Sequence, residues 1–135
     1  MVSAETLRLL ADIGFMATSG GYSKQARSLF GAIELARPDS VLPHIGTALN
    51  YMNLNLHQEA LDTLEKKALT LEPDNATVQA FMGMALMLLG RSSESERCLN
   101  SITDSEDTLA ASLASNLLSE LRQHVNKKPS APGLH

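Results

Sequence analysis

The chain has 135 residues, 44% hydrophobic and 19% charged, with fifteen acidic against eleven basic side chains and a net charge of −4. That is the size and balance of one globular domain, and the acidic surplus argues against a phosphate-neutralising surface, which excludes nucleic acid as a natural partner. A lone cysteine, Cys98, can form no internal disulfide, residues 1–5 lack the basic start and apolar core of a signal peptide, and the longest apolar run, residues 80–89, is half of the roughly twenty residues a membrane span needs. A cytoplasmic protein with no membrane insertion is the expectation.

In chain order, a first helix is expected over residues 3–18, ended by Gly20-Gly21. A second runs over 23–36 and stops before Pro38, because the residue preceding a proline is pushed out of the helical region. Asp39-Ser40 can cap a third helix, with Pro43 tolerated in its first turn, and Leu54-Asn55 supplies the next turn. A fourth helix over 58–71 ends at Pro73. Asp74-Asn75 caps a fifth that runs to Leu89, Gly90 ends it, and a sixth covers 92–101. A further amphipathic helix spans about 104–125, with Leu109, Leu113, Leu117, Leu121 and Val125 at every fourth position. Residues 126–135, with two prolines, a glycine and two lysines, read as a disordered tail.

These elements repeat. Gly14, Ala48 and Gly83 form one column; Gly21, Asn55 and Gly90 a second; Ala26, Ala60 and Ser95 a third; Phe30, Leu64 and Leu99 a fourth. Each column steps by 34 and then by 35, the extra residue falling in Glu65-Lys66-Lys67-Ala68, and Pro38 and Pro73 close the first two units. The third unit has Asp107 near the place of its proline. A period of this length marks stacked supersecondary units. The fold expected is all-α: three helix hairpins stacked as a short solenoid in a single domain over 1–125, with units at about 7–40, 41–75 and 76–102 and a capping helix at 104–125. Small residues at the first and third columns let the two helices of a pair approach closely, and the bulky fourth column lies one turn along from the third.

A second apolar stripe on the first helices suggests a binding surface. It consists of Ala11, Phe15 and Thr18, then Ile45, Leu49 and Met52, then Ala80, Met84 and Met87 with Leu88 adjacent. The fifth helix is apolar all round, so something should cover its open side, either the chain's own last helix or a partner. Covering about 400 Å2 of such surface is worth roughly 10 kcal/mol before ordering and association costs. Met82, Met84 and Met87 favour a partner, since flexible thioethers mould to another helix.

The remaining constellations are bland. His44, His57, His124 and His135 lack ligand spacing, and Cys98 has no neighbour to share a metal with, so neither a metal site nor a cofactor is expected. No nucleophile–base motif points to catalysis, and Gly20-Gly21 lacks the lysine signature of a phosphate loop. Only Arg8 and Asn53 bring polarity near the inner stripe, which disfavours recognition of a carboxylate or phosphopeptide.

The segment Tyr51 to Ala60 followed by Ala68 to Asn75 resembles the tetratricopeptide repeat, and the resemblance extends over about residues 7–102. In size, repeat number and groove character the chain is similar to the type III secretion needle-subunit chaperones of Gram-negative bacteria (the YscG/PscG kind), with the degenerate repeats around Phe15–Phe30 and Phe81–Leu99 in support. The resemblance implies a bacterial cytoplasmic chaperone, not an enzyme. Its concave face would hold the amphipathic C-terminal helix of a needle subunit, and a small helical co-chaperone would pack beside it. On that carry-over the groove residues are Phe15, Ile45, Leu49, Met52, Met84, Met87 and Leu88. The alternatives are a translocator chaperone of the same system, which takes an extended segment, and a general tetratricopeptide interaction scaffold.

Overall fold

Seven helices run through residues 3–127, the part of the chain that the computed structural model describes, with side chains described to residue 123. They are α1 (Ala4–Ser19), α2 (Ser23–Ala36), α3 (Leu42–Asn53), α4 (His57–Thr63, continued through Leu64–Ala68 and Leu69–Leu71), α5 (Ala76–Leu88), α6 (Ser92–Asn100) and α7 (Thr108–Lys127). The expected tail at 126–135 lies almost wholly outside the described residues.

The helix ends follow from local chemistry. Ser3 Oγ accepts from the Thr6 N–H, and Asn75 Oδ1 accepts from the Val78 N–H, each satisfying a donor that the first turn leaves free. Arg37 and Glu72 precede Pro38 and Pro73 and take almost the same non-helical geometry, φ −140°, ψ 79° and φ −139°, ψ 86°. Gly21, Asn55 and Gly90 all have positive φ, 83°, 62° and 78°. Their column in the sequence is therefore one repeated left-handed turn, at which asparagine is the side chain best able to replace glycine. Where the third unit lacks its proline, Asp107 takes over. Its Oδ1 accepts from the Ala110 N–H to cap α7, and its Oδ2 accepts from the Thr77 hydroxyl of α5. These two bonds hold its carboxyl below the usual range.

The extra residue in the second unit has a definite home. Leu64–Ala68 forms a π-helical turn, closed by the Leu69 N–H donating to the Leu64 carbonyl five residues back. Leu64 and Ala68 remain buried, while Glu65, Lys66 and Lys67 bulge into solvent. One residue is thus gained without turning the inward face of α4 away from the core.

Packing makes the array. Each second helix lies on the first helix of its pair; α3 packs on both α1 and α2, α5 on α3 and α4, and α7 on α5 and α6. The last helix therefore stands where the first helix of a fourth pair would stand. It covers one flank of α5 and does not fold back across the array. Phe30 is the wedge of the N-terminal half. A Cβ on Gly14 would come within 2.7 Å of the tip of its ring, and a Cβ on Gly46 would clash with the same ring atoms. The glycines of α1 and α3 together form its socket. At the other end Gly83 leaves room for Leu99, and the Ser95 hydroxyl donates to the Gly83 carbonyl at 2.7 Å.

Candidate protein-binding faces

The inner face is built by the first helices. Phe15, Leu49 and Met84 occupy the same repeat position on α1, α3 and α5, and all three are half-buried. Each closes a seam with one side and keeps the other in solvent. Phe15 packs against both the N-terminal and central clusters, its ring 5.2 Å from that of Phe30. Leu49 packs against the central cluster, and Met84 against the central and C-terminal ones. Met87 is half-buried beside α7, and Leu88 is 45% exposed. The last two line a cleft of about 420 Å3 with Gly90, Ser92, Glu120 and Leu121.

Two of the residues expected in the groove are elsewhere. Ile45 and Met52 are 5% and 6% exposed and belong to the central core with Val78, Ala85 and Leu86 of α5. Ala11, Thr18 and Ala80 of the same stripe are buried as well. A first helix in a stack packs on its own partner and also on the first helices beside it, so most of the second stripe is spent between units. What remains open is its edge, Phe15, Leu49, Met84 and Leu88.

A second face was not anticipated. On α1, Leu9, Ile13 and Met16 are 59%, 44% and 72% exposed and lie one turn apart on the side away from the core. Their repeat counterparts are not exposed. Pro43 and Val78, equivalent to Leu9, are buried, and so are Asn50 and Ala85, equivalent to Met16. In the second and third units this side faces the preceding pair. Asn50 Nδ2 donates to the Ser23 carbonyl of α2, and Val78 and Ala85 join the cluster of Leu61 and Leu64 of α4. In the first unit the same side is apolar, and no helix pair among the described residues packs on it. The i, i+4, i+7 spacing of Leu9, Ile13 and Met16 was the available signal.

Two wholly or partly buried ionisable groups among the described residues are shifted by their surroundings. Burial lowers the His44 pKa, with Glu34 opposing the shift. Cys98 donates its thiol hydrogen to the Gln79 carbonyl at 3.2 Å, and burial raises its pKa, so it stays a thiol. No grouping of His, Cys, Asp and Glu suited to a metal occurs among the described residues, and none of their helices is long and apolar enough to cross a membrane.

Residues 55–121 match the tetratricopeptide repeat family model. A search of curated protein sequences gives no match. Among solved structures, a chain of a type III secretion complex from Aeromonas hydrophila has the same fold, with a TM-score of 0.68 at 19% identity, over 94% of this chain and 87% of that one. Residues 55–121 thus carry tetratricopeptide-like helix pairs, and the array as a whole shares its fold with that chain.

Proposed function

Because the chain is built of tetratricopeptide-type helix pairs, we propose that it is a cytoplasmic chaperone of a bacterial type III secretion system that shields the amphipathic C-terminal helix of the needle subunit. The observation that carries this reading is the half-buried row Phe15, Leu49 and Met84, continued by Leu88, which runs across three successive first helices. A row of large apolar side chains crossing parallel helices suits one amphipathic helix laid across them, with its i, i+4 and i+7 positions as anchors. A needle subunit polymerises through such a helix, so masking it keeps the subunit monomeric until export. Part of the gross interaction is spent on ordering the client.

The reading includes a small helical co-chaperone on the outer row of α1. Support comes from the repeat itself: Leu9, Ile13 and Met16 sit at positions that elsewhere meet the preceding helix pair. A helix of a second protein would take the place of that pair.

The test is calorimetric titration of the purified protein with a peptide of the needle subunit's C-terminal helix. Leu88→Glu, at an exposed position, and Leu49→Glu should each weaken binding by about tenfold or more, the cost of setting a charge against an apolar contact, while helical circular dichroism is retained. Unchanged affinity in the Leu88 variant, with its fold intact, would remove this face from the function.

A further inference from the structure

Where the start of α1 meets the end of α2 and the start of α3, a pocket of about 210 Å3 is lined by Leu7, Arg8, Ile33, Arg37, Ser40 and Leu42. We propose that this pocket takes the carboxylate of a glutamate side chain carried by the protein that docks on the outer row of α1.

The first argument comes from the repeat. Arg8 stands 69 residues before Thr77, at the same position of its helix pair. At Thr77 the corner between a first helix and the segment leading into the next one is closed within the chain, because its hydroxyl donates to Asp107 Oδ2 at 2.9 Å. At Arg8 no carboxylate closes the same corner. The facing segment brings Arg37 and Ser40 to the pocket. Arg8 Nε is 4.0 Å from Asp12 Oδ1, beyond hydrogen-bond distance, and the arginine side chain is 71% exposed. Arg37 is in none of the ion pairs among the described residues. Glu5 and Asp39, the other acids of this corner, do not line the pocket and are in no ion pair either. Two guanidinium groups therefore share one cavity with no carboxylate bonded between them.

The second argument is the character of the lining. Ser40 Oγ accepts from the Leu42 N–H at 3.2 Å, which leaves its own hydrogen to donate. Leu7 and Ile33, 6% and 1% exposed, supply an apolar floor. A glutamate answers both parts. Its carboxylate accepts from the guanidinium groups and the hydroxyl, and its methylene stem lies on the floor. Phosphate lacks the stem, and a neutral amide lacks the charge.

The source of the glutamate follows from Leu42, the counterpart of Arg8 in the second unit. Leu42 packs against the cluster of the preceding helix pair. Arg8 therefore stands on the side where a preceding pair would lie, next to Leu9 at the head of the outer row. A helix seated on Leu9, Ile13 and Met16 passes this corner. The source thus rests on the docking proposed above, whereas the pocket itself can be tested with no partner present.

The experiment is an NMR titration of the full chain with N-acetyl-glutamate methylamide, with the glutamine analogue, acetate and phosphate at matched ionic strength as controls. Saturable shifts are expected at the Arg8 and Arg37 side-chain Nε–H groups and at the Ser40 and Leu42 amides. Arg8→Gln and Arg37→Gln should each lower the affinity about threefold to fivefold, the scale of an exposed ion pair. Both side chains are exposed, so the fold should survive either change. Three results would overturn the assignment: no saturable shift at these residues, binding of a control as tight as that of the glutamate compound, or unchanged affinity in both variants. Such a failure leaves the outer row of α1 as a docking face, and failure of the row to dock a partner leaves the pocket's own binding to be read directly.

Discussion

At the C-terminal end, α7 turns Ala110, Ala114, Leu117, Leu118 and Leu121 onto α5 and α6 and leaves Ser112, Ser115, Asn116 and Ser119 to water, together with Leu109 of its first turn, which the expected stripe places inward and which is 72% exposed. At the N-terminal end, α1 buries Leu7, Ala11, Gly14 and Thr18 against its neighbours but turns Leu9, Ile13 and Met16 outward. A terminal unit of a repeat array needs a polar outer face to stay soluble as an isolated chain. The helix at one end meets that requirement but for Leu109, whereas α1 at the other presents a row of three apolar side chains. The contrast separates an end covered by the chain's own last helix from an end whose apolar row the described residues leave open.

Four experiments break or sharpen this contrast. The largest effect should come from Leu118→Ala, which empties a side chain only 4% exposed in the seam between α7 and its supports. Chemical denaturation should show a loss of about 2–5 kcal/mol. Hydrogen exchange should show α6 and α7 losing protection first, since each unit of such an array leans only on its neighbours. Equal loss in α1 would mean that the two ends are not energetically separate.

Next comes Gly46→Ala, which drives a methyl group into the Phe30 ring. Overpacking of this kind costs about 1–3 kcal/mol, and exchange should now quicken in α1 to α3. A smaller effect on the isolated chain, within about 0.5 kcal/mol, is expected of the double variant Ile13→Glu and Met16→Glu, because both side chains are already in solvent. Co-expression with the proposed co-chaperone should no longer yield a complex. A complex of normal stability would show that the α1 row is not its docking face.

The smallest effect concerns His44. Its folded-state pKa is lowered by burial, so below the ordinary value of about 6.5 the unfolded chain takes up a proton that the folded chain resists. Stability is therefore full above that value and falls as the pH drops from about 7 towards 5. The slope cannot exceed about 1.4 kcal/mol per pH unit, the limit for one proton. His44→Gln should flatten that part of the pH profile. It should do so without altering the behaviour of α7, since His44 lies in the half of the array away from the C-terminal cap.

Much of the fold was legible because its punctuation is local. Glycine, asparagine and proline mark the turns through their own backbone preferences, and the small and bulky columns recur wherever two helices must meet closely. The site was less legible for a physical reason. Hydrophobicity alone cannot distinguish a side chain that faces a groove from one that faces the next unit, and Ile45 and Met52 went to the second role while Leu49 and Met84 kept an open edge. The α1 row carried its signal in plain spacing. Its meaning, however, depends on comparing Leu9 and Met16 with buried counterparts 34 and 69 residues later, which only the packed structure supplies.

The wide turn in α4 has a consequence for how such an array changes over time. Inserting one amino acid into a regular helix would swing everything after it by about 100°. By absorbing the newcomer locally, the Leu64–Ala68 segment lets the outer layer gain or shed a residue while the inner layer keeps its aim. In this chain the added residue thereby sits on the side that does not face the proposed cargo.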